Sequence, residues 1–254
     1  MLWHAFSCSD VQMRQRVIAA STRFAGKSIE EALEEPLTFR ICVSNPVIAA
    51  CYPNLFEEAE CEYGYYLDTL IKAHAPLVQN SETCVSNRDS LFLHTMKSLL
   101  PKCDVSLNQA VCSSGTKRHN FTLTVGGVLG LFGEEKIDDI EEAIAQLLDS
   151  VHLPSFDSVL PRGLESVPAF ATTNDTIAVY SVSIDQATMS MKSTILCSFH
   201  FPSERERVMF VECLFKLICW LSALPKATHA GAPVPGKNSR NVPTLFISAQ
   251  VLFI

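Results

Sequence analysis

Cysteine and histidine are the residue types here that could support nucleophilic catalysis or bind a metal. The 254-residue chain contains ten cysteines and seven histidines. A thiolate is an effective nucleophile beside a histidine that takes its proton, and closely spaced thiols bind zinc. The cysteines are Cys8, Cys42, Cys51, Cys61, Cys84, Cys103, Cys112, Cys197, Cys213 and Cys219, and the histidines are His4, His74, His94, His119, His152, His200 and His229.

The spacing of these residues matches no zinc or redox motif. No two cysteines have C-x-x-C spacing, and H-E-x-x-H is absent. Cys197 and His200 lie on opposite faces of one predicted strand, while Cys84 and Cys112 fall in predicted loops without neighbours that would lower a thiol pKa. We therefore predict no catalytic, cofactor-binding or metal-binding residue, and we interpret the cysteines as reduced thiols that pack like small apolar side chains.

Three other patterns have a structural and a functional interpretation. Gly126, Gly127, Gly130 and Gly133 suggest a phosphate loop, but their spacing is not G-x-G-x-x-G and the predicted helix after them begins with two glutamates, which would repel phosphate. The paired carboxylates at Glu57–Glu58, Asp138–Asp139 and Glu141–Glu142 are typical of solvated surfaces. Tyr63, Tyr65 and Tyr66 favour packing around a helix start, with the lining of a ligand groove as the alternative.

The composition indicates a folded protein with a substantial core. Apolar residues make up 48% of the chain and charged residues 19%, with a net charge of −7. Nucleic acid is not expected as a partner, because phosphate binding needs clustered Lys and Arg and the one modest basic cluster is Lys117–His119. The opening MLWHAFSCSD lacks a basic segment followed by an apolar run, so we expect no secretory leader and a cytoplasmic location.

The most apolar segment, VMFVECLFKLICWLSAL, extends from Val208 to Leu224. On the insertion scale its apolar residues contribute about −3 to −5 kcal/mol, whereas Glu212 and Lys216 together cost about +5 to +7 kcal/mol, so we expect no transmembrane span. The two charges are four residues apart, which suits a helical ion pair. Ser203 and Glu206 predict a capping box that opens this helix, and Pro225 follows it. The segment predicts a central helix buried on most sides.

Periodicity places the remaining elements. In the first part, we expect a helix over 9–25 followed by Gly26, a short helix opened by Ser28 and Glu31, an alternating strand over 37–44, and helical pieces over 46–100. In the second part, we expect a hairpin over 105–112 and 119–125, an amphipathic helix over 134–151, strands over 176–184 and 189–201, the apolar helix over 203–224, and a last strand over 244–254.

These elements indicate an α+β fold. Residues 1–103 form a mainly helical region with one strand over 37–44, and residues 104–254 form an antiparallel region with two strand-strand-helix units and a C-terminal strand. One continuous domain is equally compatible with this order. The apolar helix over 203–224 is expected to pack on the sheet.

We expect a non-catalytic interaction or scaffold subunit of an intracellular assembly, with a protein partner and no cofactor. This hypothesis predicts that 208–221 or 244–254 is only partly covered in the isolated chain. The alternatives are an enzyme of unrecognised type with a Cys- and His-containing pocket, and a membrane-peripheral adaptor that uses the apolar helix or the C-terminal segment.

Overall fold

A computed structural model describes residues 8–72, 82–100, 103–108, 120–125, 128–150, 164–185, 187–188 and 190–229. These residues form an α+β structure, as predicted. The helices are α1 (Cys8–Ser21), α2 (Ile29–Glu34), α3 (Pro46–Cys51), α4 (Glu62–Lys72), α5 (Glu82–Leu99), α6 (Ile140–Ser150) and α7 (Glu204–His229). The strands are β1 (Ile41–Val43), β2 (Phe56–Glu58), β3 (Cys103–Asn108), β4 (Asn120–Val125), β5 (Val128–Glu135), β6 (Ser166–Thr172), β7 (Thr176–Asp185) and β8 (Ser190–His200).

The main sheet has six strands in the order β3-β4-β5-β6-β7-β8. Neighbouring strands are antiparallel except β5 and β6, which are parallel and are connected through α6. The predicted strand-strand-helix units are not confirmed, because three strands precede each of the helices α6 and α7. The predicted hairpin before residue 126 is present as β3 and β4.

The sequence analysis missed β5 and β6 because each contains a residue that usually interrupts strands. Gly130 lies within β5, where a Cβ atom would be 2.6 Å from Leu221 Cδ2 of α7, so the residue permits the close approach of that helix. Pro168 of β6 is opposite Ser181 of β7 but lies one residue before Ala169, where pairing with β5 begins. A proline at that position interrupts no β5–β6 pairing.

The predicted helix over 134–151 begins later than expected. Glu134 and Glu135 end β5, where they pair with Ala171 and Thr172 of β6 and are buried. The helix starts at Ile140 because the Asp139 carboxylate accepts hydrogen bonds from the backbone N–H groups of Glu141 and Glu142, both at 2.9 Å. A short turn therefore separates the glutamates from the helix.

The two faces of the main sheet carry different helices. Successive strand residues alternate between them: Leu131 and Phe170 belong to the core cluster that contains α7, whereas Phe132 and Ala169 belong to the cluster that contains Ala143 and Leu147 of α6. The sheet is therefore the middle layer between α6 and α7.

Helix α7 is the predicted central helix. From Val208 to Leu224 its side chains are buried except Met209, which is exposed, and Glu212, Lys216 and Ser222, which are half-buried. Its side away from the sheet contacts α1, α2, α4 and α5. Ser203 Oγ accepts from the N–H of Glu206, and the predicted Glu212–Lys216 ion pair is formed at 3.0 Å. The helix does not end at Pro225 but continues to His229.

Polar side chains of α7 bond backbone carbonyls of the N-terminal helical region. Arg207 Nε donates to the Ile71 carbonyl at 2.6 Å, Lys216 Nζ to the Leu33 carbonyl at 3.0 Å, and Trp220 Nε1 to the Lys27 carbonyl at 3.0 Å. These donors satisfy carbonyl groups near the ends of α4 and α2 and in the loop before α2, which otherwise would be costly to bury. They explain the polar residues on an otherwise apolar helix.

Three predictions for the N-terminal region need correction. Helix α1 ends at Ser21 and not at Ala25, because turns follow it, and the predicted strand over 37–44 is shorter. Residues 56–58, inside the predicted helical pieces over 46–100, form β2. Gly26 has a φ angle of 77°, and Ser28 and Glu31 form the predicted capping box at α2. Only Ile41–Val43 is a strand, parallel to β2, and all three residues are buried. Burial on both faces is typical of such a pair, which alternation does not detect.

One core cluster contains residues from both predicted regions, including Val17, Leu70 and Phe92 on one side of the boundary and Val179 and Leu217 on the other. The division at residue 103 stays a prediction. The predicted strand over 244–254 lies outside the described residues.

Candidate functional site

A groove with a volume of about 470 Å³ lies between α2, β8 and α7. We call it the α2–β8–α7 groove. It combines partly exposed apolar side chains, carboxylates, one lysine and two thiols.

Strand β8 supplies the lower wall through Ile195, Leu196, Cys197 and Phe199. The register with β7 shifts here, since Cys197 is opposite Val179 and Ile195 is opposite Tyr180, so that Leu196 is the extra residue of a β-bulge. The Ile195 side chain is 57% exposed although it is large and apolar. Among the described residues no strand pairs with the outer edge of β8.

Helix α7 supplies a stripe of four side chains: Met209, Glu212, Cys213 and Lys216. Spacings of three, four and seven residues place them on one face of the helix. Met209 is 48% exposed, in contrast to its buried neighbours Val208 and Phe210. This face is the part of α7 that the rest of the fold leaves open.

Helix α2 closes the groove with Glu30, Leu33 and Glu34, which also share one helix face. Burial raises the pKa of Glu30. Hydrogen bonds from Ser181, from its own backbone and from Ser28 together lower this pKa by more than burial raises it, so the pKa of Glu30 is below its ordinary value. Glu30 is therefore charged at neutral pH. Lys216 links this wall to α7, because its ammonium pairs with Glu212 and donates to the Leu33 carbonyl.

Two thiols meet inside the groove. Cys197 Sγ of β8 and Cys213 Sγ of α7 are 3.8 Å apart. The hydrogen bond between them lowers the pKa of Cys197, and burial raises it. The positive charge of Lys216 also lowers this pKa, because it stabilises the Cys197 thiolate. The same hydrogen bond, together with burial, raises the pKa of Cys213 well above its ordinary value. The contact therefore favours the thiolate of Cys197 over that of Cys213.

This pair was not predicted, because motif spacing and the Cys197–His200 pair relate only residues that are close in the sequence. A usable signal was present in the distances from the turn between β8 and α7. Cys197 lies three strand residues before the end of β8, about 10 Å along the strand. Cys213 lies nine helical residues after the start of α7, about 14 Å along the helix. A strand that folds back against the next helix therefore brings the two thiols to similar heights.

The other cysteine and histidine hypotheses do not converge on the groove. His200 is exposed and does not line it. The side chains of Cys84 and Cys112, and the Lys117–His119 cluster, lie outside the described residues. Within the part of the chain that the structure describes, no group of three or more His, Cys, Asp or Glu side chains is arranged to hold a metal ion.

The carboxylate pairs lie at the surface or serve structural roles. Asp138, Glu141 and Glu58 are exposed. Asp139 caps α6, and Glu57 forms ion pairs with Arg16 and Arg40, the latter at 3.1 Å. These groups hold local structure together.

The glycines and tyrosines are also placed by the fold. Gly130 and Gly133 lie within β5, so this part of the predicted loop is strand, while Gly126 and Gly127 lie outside the described residues. Tyr63 is buried at the start of α4, as the packing interpretation predicts, and Tyr65 is exposed. Tyr66 stacks on His94 of α5 with ring centroids 5.2 Å apart.

No family model, no curated protein and no solved structure matches this chain. Among the helices of the described residues, none is both long enough and apolar enough to cross a bilayer. Function must therefore be argued from the geometry and charge of the groove.

Proposed function

We propose that the protein is a non-catalytic interaction or scaffold subunit of an intracellular assembly, and that it binds an extended segment of a partner protein in the α2–β8–α7 groove. The observation that carries this proposal is the outer edge of β8. The strand has eleven residues and pairs with β7 along its length, but no other described strand covers its outer side. An open edge of this kind can accept an added strand through main-chain hydrogen bonds.

The apolar side chains beside this edge would give the interaction its affinity. Ile195 and Met209 are both about half exposed or more, and Leu196 and Phe199 lie between them in the groove wall. Large exposed apolar side chains that cluster around a groove are typical of a binding surface. An extended segment with apolar residues at alternate positions would cover them.

The charges around the groove favour a basic partner segment. Glu30, Glu34 and Glu212 line it, whereas its one cation, Lys216, is already engaged by Glu212 and by the Leu33 carbonyl. The chain as a whole carries a net charge of −7. Lys or Arg residues in the partner would pair with Glu30 and Glu34 and increase the association rate.

Comparison with the two alternatives supports this choice. The groove contains several titratable groups, so it does not exclude an enzyme, but its lining residues include no histidine to serve as a base for Cys197. The membrane-peripheral alternative needs an exposed apolar helix or the C-terminal segment. Helix α7 is covered on the sheet side and on the side of α1, α2 and α4, and residues 244–254 lie outside the described residues. This coverage restricts the docking surface of α7 to the stripe around Met209.

The expected setting is the cytoplasm. There glutathione and thioredoxin keep thiols reduced. Cys42, Cys51, Cys61, Cys197, Cys213 and Cys219 are free in the structure.

Site-specific photocrosslinking tests the proposal. A benzophenone amino acid is placed at Ile195 or Met209 in the full chain, and at Val47 or Tyr65 as controls. All four side chains are large, apolar and exposed, but Val47 and Tyr65 lie outside the groove. We expect the same protein partner to crosslink at both groove positions and at neither control position.

Charge reversal at the groove is a second test of the proposal. Glu30→Lys with Glu34→Lys should reduce the crosslink yield at Ile195 about tenfold, equivalent to about 1.4 kcal/mol of binding free energy. The matched control is Glu58→Lys with Asp138→Lys, two exposed carboxylates that do not line the groove. Equal yields at control and groove positions, crosslinks only between copies of this chain, or an unchanged yield after charge reversal would each contradict the proposal.

A further inference from the structure

We propose that Cys197 and Cys213 form a reversible dithiol–disulfide site that hydrogen peroxide oxidises. The inference is independent of the partner proposed above, because it concerns only the chemistry of two side chains within this chain. It assigns a modification site to the groove.

The geometry places the two sulfur atoms in contact. They are 3.8 Å apart and belong to different elements, β8 and α7, so a bond between them would connect the edge strand to the central helix. A disulfide requires about 2.05 Å between the sulfur atoms, so the two sulfur atoms must approach each other by about 1.8 Å. The bulge at Leu196 lies directly beside Cys197. Both residues belong to β8, which is an edge strand of the sheet that the structure describes.

The surroundings give the two thiols different roles. Cys197 is half-buried and lines the groove, so a small oxidant reaches it from solvent, whereas Cys213 is buried behind it. The hydrogen bond from Cys213 and the charge of Lys216 favour the Cys197 thiolate. The other charged groups that line the groove are Glu212 of α7, which forms an ion pair with Lys216, and Glu30 and Glu34 of α2.

The oxidation balances with peroxide as the oxidant. The Cys197 thiolate attacks one peroxide oxygen, an S–O bond forms, the O–O bond breaks, and the leaving hydroxide takes a proton to become water. Cys213 then loses its proton and its sulfur attacks the sulfenic sulfur of Cys197. The S–S bond forms, the S–O bond breaks, and the hydroxyl group leaves with a proton as a second water. Two thiols are oxidised by two electrons in total, and one peroxide is reduced.

Other cysteines of the chain provide internal controls. Cys51 is exposed at the end of α3, so it is more accessible than Cys197 but has no thiol partner among the described contacts. Burial raises the pKa of Cys61 to about 11 and that of Cys219 to about 12. These two thiols are protonated at neutral pH and should react slowly.

Peptide mapping of the oxidised protein is the decisive experiment. The reduced full chain is treated with a small excess of hydrogen peroxide, remaining thiols are alkylated after denaturation, and the digest is analysed by mass spectrometry without reductant. We expect a disulfide-linked peptide pair containing Cys197 and Cys213, which dithiothreitol separates. We also expect oxidation at Cys197 to be at least about tenfold faster than at Cys51, because thiolate content outweighs exposure.

Two variants assign the roles. In Cys213→Ala the Cys197 sulfenic acid cannot be resolved, so dimedone should label Cys197, whereas the wild-type chain should give little label. In Cys197→Ala no linked peptide should form and Cys213 should stay reduced. Linkage in the wild-type chain does not depend on either variant folding.

The proposal is overturned if peroxide gives no Cys197–Cys213 linkage in the wild-type chain. It is also overturned if Cys51 reacts as fast as Cys197, which would mean that exposure alone governs oxidation. Equal dimedone labelling of Cys197 in the wild-type chain and in Cys213→Ala would exclude Cys213 as the resolving thiol.

Discussion

Helices α6 and α7 follow the same order of elements, three strands and then a helix, and pack on opposite faces of one sheet. Their surroundings nevertheless differ. Helix α6 is buried along one stripe, at Ala143 and Leu147, and its other side is exposed. Helix α7 is buried on nearly every side because α1, α2 and α4 cover the side that faces away from the sheet.

The difference shows that the apolar pattern of a helix indicates how many of its sides pack against other elements. A helix with one apolar stripe has one packed neighbour, whereas a helix that is apolar all round has neighbours on both sides. Helix α7 therefore packs between the sheet and the helical N-terminal region and contacts both. Between Val208 and Leu224, the stripe from Met209 to Lys216 is less covered than the rest of the helix and forms one wall of the groove.

The largest expected effect on the free energy of unfolding comes from a matched pair of Leu→Ala substitutions in the core. Leu217 of α7 and Leu147 of α6 are both buried, but Leu217 lies between two layers. We expect Leu217→Ala to reduce the free energy of unfolding by about 4 kcal/mol and Leu147→Ala by about 2.5 kcal/mol, because the more enclosed site relaxes less around the cavity. Urea denaturation measures both values. Equal losses would mean that the second layer adds little to the packing of α7.

The contact between α7 and β5 predicts a coupled pair of substitutions. In Gly130→Ala the new methyl group meets Leu221 Cδ2, so we expect a loss of about 1–3 kcal/mol. Adding Leu221→Ala should remove the clash, so the double variant should lose less than the sum of the single variants.

Gly26→Ala serves as the control for this cycle, because a Cβ there has no neighbour within 4 Å and the cost comes from the φ angle of 77°. We expect about 1–2 kcal/mol for it, additive with Leu221→Ala. Additivity in the Gly130 cycle as well would show that α7 does not press on β5 at this residue.

Removal of the N-terminal caps should destabilise the protein equally in the two helices, because α6 and α7 differ in tertiary packing and not in how their first turns are capped. Asp139 caps α6 and Ser203 caps α7, each through side-chain hydrogen bonds from backbone N–H groups. We expect Asp139→Ala and Ser203→Ala each to reduce the free energy of unfolding by about 1 kcal/mol. Thermal unfolding followed by circular dichroism compares them. A much larger loss for Ser203→Ala would indicate a tertiary role for that residue.

The smallest effect is expected at the helical ion pairs. Glu212→Gln on α7 should cost about 0.3–0.5 kcal/mol, and this cost should fall at about 1 M salt because the pair is partly exposed. Glu142→Gln, which removes an ion pair with Lys136 beside α6, is the matched control. A salt-independent loss at Glu212 would show that the pair is shielded from solvent in the groove.

Much of the fold was predictable because several of its signals are local. Ser28 and Glu31 predicted the cap of α2, Glu212 and Lys216 predicted the ion pair, and segments rich in β-forming residues predicted β7 and β8. Strands β5 and β6 were missed because Gly130 and Pro168 are unfavourable in an isolated strand. Their tolerance depends on α7 approaching β5 and on where the β5–β6 pairing begins.

The candidate site was less predictable than the fold. Cys197 and Cys213 are separated by 16 residues and lie on elements of different period, so no motif spacing relates them, and only their distances from the turn between β8 and α7 place them at similar heights. Glu30 and Glu34 were not among the residues singled out from the sequence, and they line the groove only because α2 lies beside β8 and α7. No match to a known protein supplied the missing relation.

By itself the sequence determined most of the helical segments, the caps of α2 and α7, and that α7 must be covered on most sides, since these depend on neighbouring residues and on the transfer of apolar side chains from water. Tertiary structure alone decided the order of the six strands, the open edge of β8 and the contact between two distant thiols. Strand pairing and side-chain contacts across elements depend on distances in space, which local residue patterns do not specify.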